Sequence, residues 1–417
     1  MTSLTDDEGA PRPMEEAGVR LMVTSAALRA AQAATAPGLA PETRLKTLME
    51  CHGLLLGARG PLAPLSFGDF RRALRQDLAA LLPVGIDPLD MRGLTVIDTE
   101  GRVSEDVFDL DLEQRMLLHA LRKLGKRAGT VTEAELQSEI EQEIAFTLLR
   151  RQGDQAIYEN GRSDLIRHPA GAVADLCELR LPPLIVDMYQ DIPYASVYEG
   201  WWYPCPVCAW PMRLSLRPNA AGALIGRAVC WHAPHAHMGA AYLFQPGSGP
   251  GAPHLVPERG FEGLAPRDAV LHPDLSAVPQ ALPAAHHKAV ARGIWRYTTV
   301  PGIPELALYD ALVERGLVVH LWPVLDTYDL LVEVGSRGRK KELLKVDVKD
   351  YTSAATLGEL VHAQAGDAGG AEWLVVPDYR GGQVPLLSGV CGKYGVKVAT
   401  ATDFAVMACE RSGVGWA

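Results

Sequence analysis

The feature of this sequence that most restricts its fold is the order of helices and strands predicted for residues 295–417. Apolar residues three or four apart predict helices, whereas short runs of β-branched residues bounded by Gly or Pro predict strands. The predicted elements are a helix at 304–315, strands at 317–322, 328–334 and 342–348, a helix at 353–365, a strand at 372–376, and a last strand and helix within 396–408. This αβββαβ order predicts a C-terminal α/β domain.

Pro304 and Gly316 mark the ends of the first of these helices, because Pro is favoured in the first turn and Gly just after the last. Glu305 is therefore expected in the first turn. The segment 335–341, GSRGRKK, joins two predicted strands and predicts a hairpin tip. Its basic residues either contact a nucleic-acid backbone or form an ordinary solvated turn. They are Arg337, Arg339, Lys340 and Lys341.

Charged residues fall on these elements in a pattern suited to a metal-dependent hydrolase. Asp347 and Lys349 are two apart in one strand, so they share a face of the sheet. Asp329 begins the preceding strand, whose pairing would bring it close to Asp347, and Glu305 lies on the helix before the sheet. Phosphodiester hydrolysis uses a divalent cation such as Mg²⁺, which carboxylate oxygens bind, and a further cation offsets charge in the transition state. The four residues together predict an active site.

Each of these residues also has a purely structural interpretation. Asp329 would cap a strand, Lys349 would be an edge charge, and Glu305 would interact with the helix dipole. An Asp-x-Lys pair alone is expected by chance in a chain of 417 residues. The active-site interpretation therefore depends on all four residues occurring in this order on these elements.

The same residues resemble the motif of the PD-(D/E)xK superfamily of restriction-endonuclease-like nucleases: Glu305, Asp329 and Asp347-Val348-Lys349. The resemblance implies that Asp329 and Asp347 bind a catalytic Mg²⁺ or Mn²⁺. It also implies that Lys349 assists the attacking water or the scissile phosphate, with Glu305 as an accessory acid. Tyr328 stands where the superfamily name would place Pro, at a position that varies.

The run GIWRYTTVPGIPELALYDALVERGLVVHLWPVLDTYDLLVEV, with the cysteines upstream of it, further resembles restriction endonuclease (REase) proteins encoded beside prokaryotic Piwi proteins in pPIWI-RE modules. That resemblance implies an endonuclease that cuts DNA, or an RNA–DNA hybrid, in defence against plasmids or phages. A Piwi-type protein and a helicase would be its partners, and a homodimer is expected where both strands are cut. The alternative is a catalytically inactive, nuclease-like subunit that binds DNA or assembles a complex; the intact Asp329, Asp347 and Lys349 favour the enzyme.

A second candidate site is a cysteine cluster in residues 201–243. Cys205 and Cys208 form a Cys-x-x-Cys knuckle, whose spacing allows two thiolates to bind one ion. Cys230 follows a predicted hairpin of 213–217 and 224–229. Three thiolates and one imidazole would complete a tetrahedral structural Zn²⁺ site, which predicts a zinc-ribbon-like module. The fourth ligand is one of three histidines, with His235 preferred, then His232, then His237.

The alternative for these cysteines, a thioredoxin-like redox pair, lacks the βαβ context that such a pair requires. The chain has seven cysteines, an odd number, and two of them form the Cys-x-x-Cys pair, which in a reducing compartment indicates metal or redox chemistry rather than structural disulfides. A cytoplasmic location is therefore expected. No run is apolar enough to predict a membrane span. The net charge of −10 argues against non-specific coating of nucleic acid, so any nucleic-acid site is expected to be local.

The chain is long enough to predict several domains. Residues 1–15 are acidic and contain two Pro, which predicts a disordered lead, and the apolar spacing in 16–200 predicts a helical domain without a chemical signature. The zinc-ribbon-like module at 201–243 precedes a Gly- and Pro-rich linker with helices at 244–294 and the nuclease domain at 295–417. The expected architecture is a multidomain protein with a mainly α-helical N-terminal region.

Overall fold

A computed structural model of the chain describes residues 13–36, 38–99, 101–125, 145–151, 153–179, 181–218, 222–247, 251–258, 269–271, 275, 277–335, 341–367 and 369–416. It divides into two compact units, each built from separate stretches of chain. The first unit comprises Met1–Gly129, Tyr351–Gly366 and Pro385–Tyr394. The second comprises Thr130–Asp350, Asp367–Val384 and Gly395–Ala417.

The helices of the described residues are α1 (Pro13–Thr35), α2 (Pro41–Arg59), α3 (Phe67–Ala73), α4 (Glu105–Gly125), α5 (Gln155–Arg167), α6 (Val173–Cys177), α7 (Pro183–Val186), α8 (Ala233–His237), α9 (Arg292–Ile294), α10 (Val300–Glu314), α11 (Ala354–Ala363), α12 (Val384–Cys391) and α13 (Ala401–Ser412). The strands are β1 (Ala170–Ala172), β2 (Tyr189–Asp191), β3 (Trp201–Trp202), β4 (Arg213–Pro218), β5 (Leu224–Val229), β6 (Ala241–Phe244), β7 (Val256–Pro257), β8 (Leu282–Pro283), β9 (His287–Val290), β10 (Val318–Leu321), β11 (Leu330–Val334), β12 (Glu342–Val348), β13 (Trp373–Val376) and β14 (Lys397–Thr400). In the described part of the chain, no helix is both long and apolar enough to cross a membrane.

The first unit is helical, which confirms the prediction of an N-terminal helical region. Helix α1 packs against both α2 and α4, and α4 also packs against α11. The core is made of buried apolar side chains that include Val23, Leu55, Phe70 and Leu78. The buried carboxylate of Glu113 on α4 accepts the N–H groups of Thr352 and Ser353, at 2.6 and 2.9 Å. It therefore binds the backbone N–H groups of the N-cap residue of α11 and of the residue before it, and fixes the chain where that helix begins.

The second unit is built around a five-stranded mixed sheet with the strand order β10-β11-β12-β13-β14. Strands β10, β11 and β12 pair antiparallel, whereas β12, β13 and β14 pair parallel. Helices α10 and α13 pack on this sheet and on each other. Their apolar residues bury Val332 and Val346, which lie on the face of β11 and β12 opposite to Asp347. The predicted C-terminal sheet with helices is confirmed. Helix α12, which the sequence did not predict, belongs to the first unit from Pro385 onwards.

The start of α10 differs from the prediction. A π-helical turn at Trp295–Thr299 continues directly into α10, so Pro304 and Glu305 lie inside the helix rather than in its first turn. Pro304 has no N–H, so it cannot make the helical hydrogen bond to the carbonyl four residues earlier. Gly302 allows α5 to pack closely on α10, because an added Cβ would lie 2.3 Å from Cδ1 of Ile166.

The structure also divides the chain differently from the predicted boundary at residue 200. Helix α5 and strands β1 and β2 belong to the second unit. Strand β9 pairs with both β1 and β2, although residues 244–294 were expected to form a linker with helices. The described residues of that segment form strands β7, β8 and β9, and α9 begins only at Arg292. Pairing with distant strands outweighs the local helical pattern there.

Residues 201–258 contain a second sheet, of four strands in the order β4-β5-β6-β7. The predicted hairpin is confirmed, because β4 pairs antiparallel with β5 from Arg213 opposite Val229 to Pro218 opposite Leu224. Trp210, just before this hairpin, stacks on Trp295 of the π-helical turn with ring centroids 4.4 Å apart. This buried stack packs the cysteine-containing segment against the start of α10 within the second unit.

Candidate active site and cysteine–histidine cluster

Asp329 and Asp347 lie on neighbouring strands of the mixed sheet. Leu330 pairs with Val346, and the Asp329 N–H donates to the Val346 carbonyl at 3.0 Å, so the register continues by one residue and places Asp329 opposite Asp347. Directly opposed residues of an antiparallel pair project from the same face. The Val348 N–H donates to Asp329 Oδ2 at 2.6 Å and fixes that carboxylate at the end of the strand pair.

Lys349 extends from the end of β12 beside Asp347. Its Nζ donates to Asp347 Oδ1 at 2.8 Å, and its backbone N–H donates to the Val375 carbonyl at 2.8 Å. The Lys349 side chain is 35% exposed, whereas that of Asp347 is 9% exposed. An ammonium group that solvent can reach therefore stands next to a buried carboxylate, where it could meet an anionic ligand.

Glu305 reaches this region from the middle of α10, and its carboxylate is buried. Its Oε2 accepts two hydrogen bonds, one from the neutral Nε1–H of Trp322 at 2.6 Å and one from a terminal nitrogen of the charged Arg162 at 2.8 Å. Arg162, on α5, is itself only 5% exposed. The same guanidinium contacts Asp326 and lies 4.0 Å from Asp329 Oδ1. Arg162 thus links three acidic residues that come from separate elements.

The turn 322–326, between β10 and β11, carries two of the side chains in these contacts, Trp322 and Asp326. Four of its residues have a left-handed backbone, namely Trp322, Val324, Leu325 and Asp326. A β-branched residue such as Val324 adopts this conformation at a cost. The side-chain amide of Gln155 on α5 donates to the Trp322 carbonyl at 2.8 Å and accepts the Leu325 N–H at 2.9 Å. The turn is held in this way against α5, beside Arg162.

The buried carboxylates shift one another's ionisation. Burial raises the pKa of Glu305 to about 7, with Arg162 opposing the rise and Asp326 adding to it. Burial, followed by the nearby charges of Glu305 and Asp347, raises the pKa of Asp329 well above its usual range. Burial disfavours the charged form of Arg162, yet the carboxylates of Glu305 and Asp326 raise its pKa above the usual value. The site is an acidic cluster in a poorly solvated environment, with one fixed guanidinium inside it.

The sequence did not predict Arg162, Asp326 or Trp322 as parts of this site. Arg162 lies in an ordinary amphipathic stretch more than a hundred residues before the sheet, and nothing local marks it. The left-handed turn has one weak signal, since Pro323 follows a run of strand-forming residues and Pro commonly ends a strand. Only the packing of α5 on α10 brings these residues to the predicted acids.

The comparison with protein families bears on this same segment. Residues 302–416 match the model of a family described as "REase associating with pPIWI_RE". The predicted resemblance is confirmed. The matched segment contains Glu305, Asp329, Asp347 and Lys349, and the match indicates a nuclease-like domain at 302–416. No curated protein and no solved structure matches the chain.

The basic hairpin predicted to contact nucleic acid lies largely outside this description. Arg337, Arg339 and Lys340 are outside the described residues. Lys341 is described and forms an ion pair with Glu333 across the β11–β12 hairpin. The contact of these residues with nucleic acid stays a prediction.

The second candidate site brings together Cys205, Cys208, Cys230 and His235, all of them buried. Their ligand atoms lie within 4.8 Å of one another, so the four residues could hold one metal ion. Cys230 Sγ lies 3.8 Å from Cys208 Sγ and 3.6 Å from Nδ1 of His235. Burial raises the pKa of the Cys205 and Cys230 thiols well above the usual range, so a bound cation would be needed to hold both as thiolates.

His232, the second choice for a ligand, has a different role in the structure. Its Nε2 lies 3.5 Å from Oδ2 of Asp350, the residue that follows Lys349, and both side chains are fully buried. Asp350 also accepts the Tyr379 hydroxyl and Nε of Arg380, each at 2.8 Å. The Asp350 pKa is held below its usual range because its interaction with His232 and the charge of Arg380 outweigh the effect of burial. This network connects the cysteine–histidine segment to the end of β12 within the second unit.

Proposed function

We propose that this chain is a divalent-metal-dependent endonuclease that hydrolyses phosphodiester bonds of DNA. The observation that carries the proposal is the meeting of Asp329, Asp347 and Lys349 at one end of β11 and β12, inside the segment that matches the REase family. Carboxylate oxygens are the ligands that Mg²⁺ and Mn²⁺ prefer. Burial, and after it the repulsion of the neighbouring acids, raises the pKa of Asp329, and a bound cation would favour its ionised form against both effects.

In this proposal Asp329 and Asp347 hold the metal ion and Lys349 is the catalytic cation. A divalent ion bound there would polarise the phosphate and lower the pKa of an attacking water. Asp329 is suited to its role because the Val348 N–H fixes one of its oxygens and leaves the other available. Lys349 is held by Asp347 but is partly exposed, so its ammonium can offset the negative charge that develops on the phosphate.

We also propose that Cys205, Cys208, Cys230 and His235 bind a structural Zn²⁺ in a zinc-ribbon-like module. Three sulfurs and one imidazole nitrogen would fill a tetrahedral coordination shell and leave no position for a substrate. The matched family is named for its association with pPIWI_RE, and we propose a Piwi-type protein as the partner of this chain. Defence against foreign DNA, with a helicase as a further component, is part of the same proposal.

The test is a cleavage assay with purified protein that retains its zinc. The substrates are supercoiled plasmid, single-stranded DNA and an RNA–DNA hybrid, each incubated with Mg²⁺, with Mn²⁺ and in metal-free buffer. The Asp347→Asn variant preserves side-chain volume but removes one charged ligand, and Glu410→Gln neutralises an exposed acid on α13 as a matched control. Every reaction is run with and without the Piwi-type protein.

We expect cleavage that requires a divalent ion, survives Glu410→Gln and is lost in Asp347→Asn. The substrate that is cut identifies the target. Binding of DNA without cleavage in all conditions would instead support the inactive, nuclease-like subunit. Cleavage that persists in Asp347→Asn would show that the active site lies elsewhere.

A further inference from the structure

Arg162 occupies an unusual position, since a guanidinium is buried among the acids of a site proposed to bind a metal ion. One terminal nitrogen lies 2.8 Å from Glu305 Oε2 and the other contacts Asp326 Oδ1. The central carbon of the guanidinium, Cζ, lies 4.3 Å from the centre of the Trp322 ring, so the face of the ring covers the cation. An Arg side chain stays protonated under ordinary conditions, so this positive charge is permanent.

Two donors already bind Glu305 Oε2, and this oxygen would have to lose them in order to bind a metal ion. It accepts Nε1 of Trp322 at 2.6 Å as well as the guanidinium of Arg162. A divalent ion bound to this oxygen would lie roughly 2.0–2.1 Å from it, next to a fixed positive charge. The two cations would repel each other in a poorly solvated environment. Asp329 differs, because its nearest contact with Arg162 is 4.0 Å and the Val348 N–H that donates to it is uncharged.

The charges of the site lead to the same conclusion. With all four carboxylates ionised, Glu305, Asp326, Asp329 and Asp347 carry four negative charges, and two cations, Arg162 and Lys349, lie in close contact with them. Two negative charges are left over, which one divalent ion would neutralise. Arg150 also approaches Asp326, at 3.3 Å, but it is 44% exposed and solvent screens its effect.

Arg162 is held in place from several sides, as a fixed cation requires. It donates to the Tyr158 hydroxyl at 3.3 Å on its own helix. Gln155, one turn earlier than Tyr158, binds the turn that carries Trp322 and Asp326. Gly302 allows this helix to approach α10, which carries Glu305.

We propose that Arg162 is a positioning residue that takes the place of a second divalent ion. The site therefore binds one ion, at Asp329 and Asp347, and Glu305 stays outside its coordination shell as the acceptor for Arg162. This inference rests on the proposed metal-dependent function and specifies how the site is used. It gives Glu305 a role different from that of a metal ligand.

The test is a titration of the full chain, with its zinc bound, with Mn²⁺. The concentration of free Mn²⁺ is measured by electron paramagnetic resonance, and the bound fraction gives the affinity and the number of ions per chain. Glu305→Gln keeps the size of the side chain and an oxygen that can accept from Trp322, whereas Asp347→Asn removes a proposed ligand. Arg162→Met removes the guanidinium charge, and Arg162→Lys retains a positive charge without the planar group. Circular dichroism and thermal unfolding of each variant report whether it is folded.

We expect one Mn²⁺ per native chain, an affinity within about threefold of native for Glu305→Gln, and a loss of at least tenfold for Asp347→Asn. Folded Arg162→Met should bind Mn²⁺ more tightly or bind a second ion, and Arg162→Lys should behave as the native chain does. A purely structural role for Arg162 would not tighten metal binding. A loss of tenfold or more in Glu305→Gln would overturn the inference even if Arg162→Met did not fold. If Asp347→Asn left Mn²⁺ binding unchanged, the proposed metal site itself, and with it the proposed function, would be wrong.

Discussion

Replacement of Asp350 by Ala should destabilise the second unit strongly. The Asp350 carboxylate is fully buried and is the acceptor for Tyr379 and Arg380, with His232 3.5 Å away. Asp350→Ala would leave a guanidinium that is only 13% exposed without its carboxylate partner. Removal of one partner from a buried ion pair costs about 3–5 kcal/mol. We expect the free energy of unfolding to fall by that amount, measured at pH 7 by urea titration with tryptophan fluorescence.

Asp191→Ala is the matched control for this experiment. Asp191 belongs to the same unit and pairs with Lys288 at 3.2 Å, but its side chain is 97% exposed. Because solvent screens such a pair, we expect no measurable change in the unfolding midpoint. The pKa of Asp350 is depressed in the folded state, so its stabilising effect is present above the unfolded value of about 3.9 and declines as the pH falls below it. Equal effects of the two substitutions at pH 7 would refute this reasoning.

Three further predictions concern separate parts of the molecule. The native chain should release one Zn²⁺ when its thiols are blocked, as measured with a chromogenic chelator; Cys208→Ser should lose this ion, and Cys177→Ser, at an exposed cysteine outside the cluster, should keep it. Val324→Gly should raise the free energy of unfolding by about 1 kcal/mol, because Gly relieves the left-handed strain of an exposed side chain at a smaller entropic cost; a loss of stability in thermal unfolding would contradict this. Glu113→Ala should lower the stability of the first unit by about 1–3 kcal/mol, because two N–H groups at the start of α11 lose their acceptor, and faster hydrogen exchange at Thr352 would report it.

The parts of the fold that the sequence predicted are those set by local patterns. Strands β11 and β12 were predicted close to their observed bounds, because alternating buried side chains such as Leu330, Val332 and Val334 give a clear period of two. The hairpin of β4 and β5 was predicted for the same reason. The two-residue spacing of Asp347, in β12, and Lys349, just after its end, also requires no tertiary information.

The parts that the sequence did not predict depend on contacts between distant segments. Strand β9 was missed because its pairing partners, β1 and β2, lie about a hundred residues earlier in the chain. Arg162 was missed because its role arises only where Gly302 brings α5 against α10. The start of α10 was misplaced because Pro304 resembles a residue of a first turn, while the preceding π-helical turn extends the helix backwards.

The most direct test of the nuclease assignment is the metal dependence of the cleavage rate in matched variants. Rates of plasmid cleavage would be measured across a Mg²⁺ titration for the native chain, Asp329→Asn, Asp347→Asn and Glu410→Gln. We expect metal-dependent cleavage at similar rates for the native chain and Glu410→Gln, with a loss of at least a hundredfold in Asp329→Asn and Asp347→Asn. Cleavage that is independent of Mg²⁺, or unchanged in both Asp329→Asn and Asp347→Asn, would contradict the assignment.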